Sequence, residues 1–172
     1  MNYARILTKS EEATALFGVL FAEALEAGDI LSLDGDLGAG KTAFSKGLSK
    51  GLGIEDMISS PTFMLVMEHE NPNGLMLFHF DVYRLSGSDD FFDAGLDEYF
   101  SRGGVCVIEW GDVISEVFSS YEENTVYMQI EVKSENVREF TISYPSQKKT
   151  RVLSVLEKIE TGESGQMEVL SC

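Results

Sequence analysis

Basic side chains are scarce in this sequence. Thirteen Lys and Arg residues stand against 29 Asp and Glu residues in a chain of 172, which gives a formal net charge of −16. Proteins grip nucleic acids mainly through Lys and Arg contacts to phosphates, so this balance argues against direct nucleic-acid binding. It is compatible with a part in a nucleic-acid pathway that is played through a protein partner.

Long apolar runs and cysteine frameworks are also missing. No apolar run approaches the roughly 20 residues that span a bilayer, and the opening segment, MNYARILTKSEEATALFG, lacks the pattern of a signal peptide. The two cysteines, Cys106 and Cys172, have neither disulfide nor metal-site spacing. We therefore expect a cytoplasmic protein without membrane association, with one domain over residues 1–160 and a flexible tail over residues 161–172.

The segment GDLGAGKT at residues 35–42 is the clearest motif. It fits G-x-x-x-x-G-K-[ST], the phosphate-binding P-loop, between a buried strand, ILSLD, and an amphipathic helix. Glycines let successive backbone N–H groups turn toward an anion. Lys41 supplies a charge for the β and γ phosphates of a nucleotide, and Thr42 supplies a hydroxyl for Mg²⁺. The helix that begins at Lys41 adds its positive N-terminal dipole.

Alternating and helical patterns along the chain predict an α/β fold. The expected architecture is a P-loop NTPase fold, with a mixed, mostly parallel central sheet flanked by helices and an antiparallel hairpin. Residues TVYMQIEV and VREFTISY form the hairpin, and YARILT is expected to be an edge strand.

Two strands end in an acid that suits the metal shell of a P-loop, Asp81 in LFHFD and Glu109 in VCVIE. Both should face the nucleotide, because ligands bind at the carboxyl ends of strands in α/β sheets. Spacing alone does not choose between them. Thr62, in a loop after the P-loop helix, stands where switch-type NTPases sense the γ-phosphate. From the residues alone, a threonine that starts a strand is a slightly better explanation.

Other candidates have simple structural explanations. His79 and His69 are potential bases, but a strand histidine between two phenylalanines is more often structural. Arg84 either neutralises phosphate or pairs with Asp81, and the ion pair is the plainer explanation. Trp110, the single tryptophan, fits the core, a nucleotide-site wall or a partner contact.

Four kinds of P-loop protein compete. A small-molecule kinase usually needs an arginine-rich lid, and the five Arg residues here are scattered; a GTPase needs an NKxD segment, which the sequence lacks. A nucleotide-gated binding module without hydrolysis stays open. An ATPase that regulates a partner complex fits best.

The order of motifs adds a family resemblance. GDLGAGKT, SPTF, HFDVYRL, DAGLDEYF and CVIEWGD occur in the order and spacing of the bacterial TsaE (YjeE) family, and the chain closely resembles that family from about Ser10 to residue 144. The resemblance implies a weak P-loop ATPase, using ATP and Mg²⁺ and yielding ADP, that is required for threonylcarbamoyladenosine in tRNAs reading codons that begin with A. It also implies action on the TsaD–TsaB complex, with tRNA involved only indirectly.

The same resemblance assigns roles to residues. It makes Thr42 and Glu109 the metal-linked pair, and Lys41, Asp81 and Thr62 the catalytic or switch residues. The nucleotide contacts that it implies are Glu11, near the adenine, Trp110, and the run Gly38, Ala39, Gly40, Lys41, Thr42 and Ala43. Ala43 replaces a frequent second threonine, Gly111 stands where the family is variable, and residues after 144 show no match.

Overall fold

The computed structural model describes residues 1–54, 64–162 and 165–171. These residues contain eight strands and four α-helices, which are numbered here in chain order. The strands are β1 (Asn2–Thr8), β2 (Ile30–Asp34), β3 (Val66–His69), β4 (Leu77–Asp81), β5 (Val105–Glu109), β6 (Thr125–Val132), β7 (Arg138–Tyr144) and β8 (Met167–Ser171). The helices are α1 (Glu11–Phe21), α2 (Lys41–Gly51), α3 (Ser88–Asp93) and α4 (Lys149–Thr161).

These strands form one sheet in the order β3-β4-β5-β2-β6-β7-β1-β8. The four middle strands, β4, β5, β2 and β6, run parallel, and antiparallel strands extend the sheet on both sides. The predicted fold class is therefore confirmed, including the β6–β7 hairpin. Parallel pairing brings the carboxyl ends of β2, β4 and β5 to the same edge of the sheet.

Both faces of the sheet are covered, which explains why the middle strands are continuous apolar runs. Alternate side chains point to opposite faces. Leu31 and Leu33 pack with α1, α2 and α4, whereas Ile30 packs on the other side with α3 and short 3₁₀ segments. The buried sheet is thus a rigid support for residues at its edge.

The N-terminus of α1 is fixed as the sequence predicts. Ser10 has extended backbone dihedrals, and its Oγ accepts a hydrogen bond from the Ala13 N–H at 3.0 Å. Glu11 and Glu12 occupy the first turn, where negative charge is favourable to the helix dipole. The Ser10 cap therefore fixes where α1 begins.

The C-terminal segment differs from the predicted flexible tail. Met167–Ser171 forms β8, which pairs antiparallel with β1, so β1 is not the expected edge strand. The reason lies in packing, since Met167 and Val169 lie against the main core cluster while the edge of β1 offers backbone groups for pairing.

Among the helices that the structure describes, none is long and apolar enough to cross a membrane.

A buried ion pair fixes the start of α4 to the start of β2. Lys148 Nζ lies 2.6 Å from Asp29 Oδ2, and the two residues are 4% and 1% exposed. The same Asp29 oxygen also accepts the Glu26 N–H at 2.7 Å. Removing one partner would leave a charge buried without compensation.

We predict that Lys148→Met lowers the free energy of unfolding by about 3–5 kcal/mol, measured by urea denaturation. Lys158→Met is the matched control, since Lys158 pairs with Glu23 at the surface of the same helix. The control should cost less than about 1 kcal/mol. Equal losses in both variants would contradict a special role for the buried pair.

Candidate functional site

A cavity of about 680 Å³ opens at the carboxyl ends of β2, β4 and β5. Its walls are the 37–40 loop, the first turns of α1 and α2, the residues that follow β4 and β5, and the turn between β6 and β7. This is the position where open α/β sheets bind ligands. The volume lies within the range of small-molecule and cofactor sites.

The glycine-rich loop has the backbone that the motif predicts. Gly35, Gly38 and Gly40 have φ angles of 146°, 80° and 109°, values that residues with a side chain rarely adopt. A Cβ on Gly35 would lie 2.5 Å from the Ile130 carbonyl oxygen on the neighbouring strand. The loop therefore needs glycine for both its turns and its close approach to β6.

Lys41 is held inside the site. It is 5% exposed, and its Nζ donates to the carbonyl oxygens of Gly35 at 2.6 Å and Asp36 at 3.1 Å. The ammonium also lies 3.8 Å from the centroid of the Trp110 ring. Burial lowers the pKa of Lys41, and the carboxylates around it, Glu109 and Asp34 foremost, oppose that shift.

The two strand-end acids lie side by side but in different settings. Asp81 and Glu109 are paired in register across β4 and β5, and both line the cavity. Glu109 is buried, with Oε1 2.9 Å from His79 Nε2, whereas Asp81 is partly exposed and accepts the Tyr83 N–H at 3.1 Å. A carboxylate only accepts, so the His79 proton is assigned to Nε2.

The cavity wall offers oxygen donors that suit Mg²⁺. Thr42 and Glu109 line the same cavity and offer the oxygen ligands that Mg²⁺ prefers. Over residues 1–54, 64–162 and 165–171, no group of three or more His, Cys, Asp or Glu side chains is arranged to hold a metal. That arrangement suits an ion that takes its other ligands from water and substrate phosphates, as Mg²⁺ does.

The remaining predicted residues fall into two groups. Glu11, Gly38, Ala39, Gly40, Ala43 and Trp110 all line the cavity together with Lys41 and Thr42. Thr62 lies outside the residues that the structure describes. The structure thus brings together every predicted site residue whose position it describes.

Sequence reasoning missed Asp34, which organises the turn behind Trp110. Asp34 accepts the Asp112 N–H at 2.8 Å and the Ser32 hydroxyl at 2.8 Å, while Leu33 O accepts the Trp110 N–H at 2.9 Å. Burial raises the pKa of the Asp34 carboxyl, against both hydrogen bonds. Asp34 ends the strand ILSLD, so it carried the same strand-end signal as Asp81 and Glu109.

The sequence predicted the β6–β7 hairpin but not that its turn lines the cavity. Glu135, Asn136 and Arg138 line the cavity, about 100 positions after the loop. The Arg138 Nε donates to Ala39 O at 3.0 Å. No local pattern marks these residues, because their proximity depends on β6 pairing directly with β2.

Trp110 is held in a strained position over Lys41. It is the non-glycine residue with positive φ in the part of the chain described, at φ 66° and ψ 38°. A Cβ on the next residue, Gly111, would lie 2.0 Å from Ser32 Oγ. The family resemblance, which places Gly111 at a variable position, does not indicate this constraint.

We predict that Gly111→Ala lowers the free energy of unfolding by about 1–3 kcal/mol, because a methyl group must displace Ser32 or the Trp110 turn. Urea denaturation followed by the fluorescence of Trp110 measures both stability and the ring's surroundings. Ser115→Ala, at an exposed position in the following segment, is the control. Unchanged stability and emission in Gly111→Ala would show that the turn accommodates a side chain freely.

Comparisons with known proteins show the family to which the chain belongs. The family model "Threonylcarbamoyl adenosine biosynthesis protein TsaE" matches residues 8–140. A tRNA threonylcarbamoyladenosine biosynthesis protein TsaE from Treponema pallidum is 43% identical over 139 residues, covering 81% of this chain and 99% of the relative. A protein of the same name from Bacillus subtilis is 46% identical over 116 residues, covering 67% and 72%.

A solved structure shows the same fold. The crystal structure of Bacillus subtilis YdiB superposes with a TM-score of 0.73 at 33% identity, over 90% of this chain and 94% of that one. The family match over residues 8–140 covers the loop, both strand-end acids and the Trp110 turn. The chain therefore belongs to the TsaE family of threonylcarbamoyl adenosine biosynthesis proteins.

Proposed function

We propose that this protein binds ATP with Mg²⁺ and hydrolyses it to ADP and phosphate in the biosynthesis of threonylcarbamoyladenosine on tRNA. The observation that carries the proposal is the buried Lys41 ammonium, held in a glycine loop and facing the strand-end acids across one cavity. Family membership supports the tRNA-modification pathway. The modified tRNAs would be those that read codons beginning with A.

The loop and Lys41 account for triphosphate binding. Lys41 Nζ donates hydrogen bonds to the carbonyl oxygens of Gly35 and Asp36, which belong to the loop itself. A phosphate oxygen that entered the loop would compete for the same ammonium group. The N-terminus of α2 begins at this lysine and adds its positive dipole. Charge that develops on the transferred phosphoryl group would be stabilised by these fixed donors.

Thr42 and Glu109 are the residues proposed to hold Mg²⁺, which would supply charge neutralisation at the β and γ phosphates. The His79 contact fixes one oxygen of Glu109, and the carboxylate remains at the cavity wall. Asp81 is more exposed and lies beside Glu109 in the sheet, so we assign it to turnover, orienting the attacking water or switching with the nucleotide. Thr62 is proposed to sense the γ-phosphate.

The net charge supports a role that depends on a protein partner. With a net charge of −16, the protein is suited to dock on a basic surface rather than to hold tRNA. We propose that the TsaD–TsaB complex is the partner, that hydrolysis resets it between turnovers, and that this protein competes there with tRNA. An electrostatic association of this kind weakens as salt increases.

The central experiment measures ATP hydrolysis by the full chain with and without TsaD–TsaB. We expect slow hydrolysis alone, stimulation by the complex, and a loss of at least about 100-fold in Lys41→Ala. Lys46→Ala, an exposed lysine of the same helix, should retain activity. Phosphate transfer to a small metabolite instead of water would favour a kinase, and nucleotide binding without hydrolysis in any setting would favour a binding module.

The two strand-end acids should separate in their effects. We expect Glu109→Ala to raise the Mg²⁺ concentration that half-saturates hydrolysis, since it removes a proposed metal ligand. Asp81→Asn should leave nucleotide affinity largely intact and lower kcat.

Calorimetric binding of ATP over a Mg²⁺ titration, beside steady-state kinetics, distinguishes the two roles. Unchanged Mg²⁺ dependence in Glu109→Ala would remove Glu109 from the metal site. Loss of nucleotide binding in Asp81→Asn would make Asp81 a structural residue.

A further inference from the structure

One guanidinium group joins two parts of the cavity wall that are distant in sequence. Arg138, at the start of β7, donates from Nε to Ala39 O at 3.0 Å and from Nη2 to Gly38 O at 3.4 Å. Both acceptors are backbone atoms of the phosphate-binding loop. Arg138 therefore contacts the loop from the side of the β6–β7 hairpin.

The third nitrogen of the same group contacts the hairpin turn. Nη1 donates to Ser134 O at 3.0 Å, Glu135 O at 3.1 Å and Val137 O at 3.2 Å. Arginine presents its donors in a planar, rigid fork, which lets one side chain hold acceptors on two sides at once. The turn over residues 133–137 is thereby tied to the loop.

The tie also sets the direction of a peptide group in the loop. The carbonyl and the N–H of a trans peptide point in opposite directions. Because Ala39 O faces Arg138, the N–H of Gly40 is turned away from Arg138. The hydrogen bond from Arg138 thus sets the orientation of the Ala39–Gly40 peptide, one peptide before the residue that begins α2.

The aliphatic part of Arg138 lies near the same loop. A Cβ on Gly40 would lie 4.0 Å from Arg138 Cγ and 3.5 Å from Thr14 Cγ2, so the loop lies between the hairpin and α1. Glu135 and Asn136, next to the carbonyls that Arg138 binds, line the cavity. Loosening Arg138 would move both the loop and this wall.

We propose that Arg138 is a positioning residue for nucleotide binding, which holds the β6–β7 turn against the phosphate-binding loop so that the two close on the nucleotide as one wall. The proposal deepens the proposed function and rests on it, since it takes the cavity to bind an adenine nucleotide. Arg138 acts through backbone carbonyls, and its role is distinct from that of a catalytic residue.

Two substitutions and one control test the proposal. Arg138→Met keeps the aliphatic stem and removes every donor, while Arg138→Lys keeps the charge without the fork. Arg5→Met is the matched control: Arg5 lies on β1 of the same sheet, pairs with Glu139, the neighbour of Arg138, and does not line the cavity.

We expect Arg138→Met to weaken ADP binding about tenfold. The loop carbonyls would lose their hydrogen-bond donors, and the β6–β7 turn would no longer be joined to the loop. KM for ATP should rise in parallel while kcat at saturating ATP changes little. Arg138→Lys should fall between Arg138→Met and the wild type, and Arg5→Met should match the wild type. Wild-type affinity in Arg138→Met would overturn the proposal.

Amide hydrogen exchange in the nucleotide-free protein gives an independent result. Exchange should accelerate at residues 38–41 and 134–138 together in Arg138→Met, and in neither segment in Arg5→Met. If exchange in both segments were unchanged in Arg138→Met, the claim that Arg138 holds the turn against the loop would be wrong, whatever the effect on activity. If the wild type bound no adenine nucleotide, the proposed function would fail, while the exchange result would still report on the tie between turn and loop.

Discussion

The burial of a single ammonium group governs the arrangement of this protein's site. Lys41 is almost fully removed from water, so its charge must be met by the carbonyls of Gly35 and Asp36, the Trp110 ring and the surrounding carboxylates. An ion so buried is tolerated only with such compensation. The same enclosure leaves a positive group ready for an anionic ligand, and this makes the cavity suited to a phosphate.

Sheet topology supplies that compensation. β5 and β6 pair with β2 on its two sides, and β2 leads into the loop. Glu109, at the end of β5, therefore lies on one side of the loop, and the β6–β7 turn lies on the other. Asp34 fixes the turn that places Trp110 over Lys41. In this turn Trp110 adopts a left-handed backbone conformation, which is strained for a residue with a side chain. Strain at such a position is characteristic of functional sites.

The parts of this arrangement that depend on local sequence patterns could be predicted from the sequence. The loop, the cap at Ser10, the middle strands and the strand-end acids each have a short signature, and all described members of the predicted site meet in one cavity. Arg138 and β8 had no such signature, since each depends on a long-range pairing between strands. Asp34 had the signature, but its use as an acceptor for the Asp112 N–H follows only from the folded turn.

The most direct test of the account is a crystal structure of the full chain with a non-hydrolysable ATP analogue and Mg²⁺. We expect the triphosphate to lie in the 35–42 loop, with Lys41 Nζ moved from Gly35 O to phosphate oxygens and the metal at about 2.1 Å from Thr42 Oγ1. An analogue bound elsewhere, or one seated in the cavity with Lys41 still on its carbonyls, would contradict the claim that this buried charge exists to hold a phosphate.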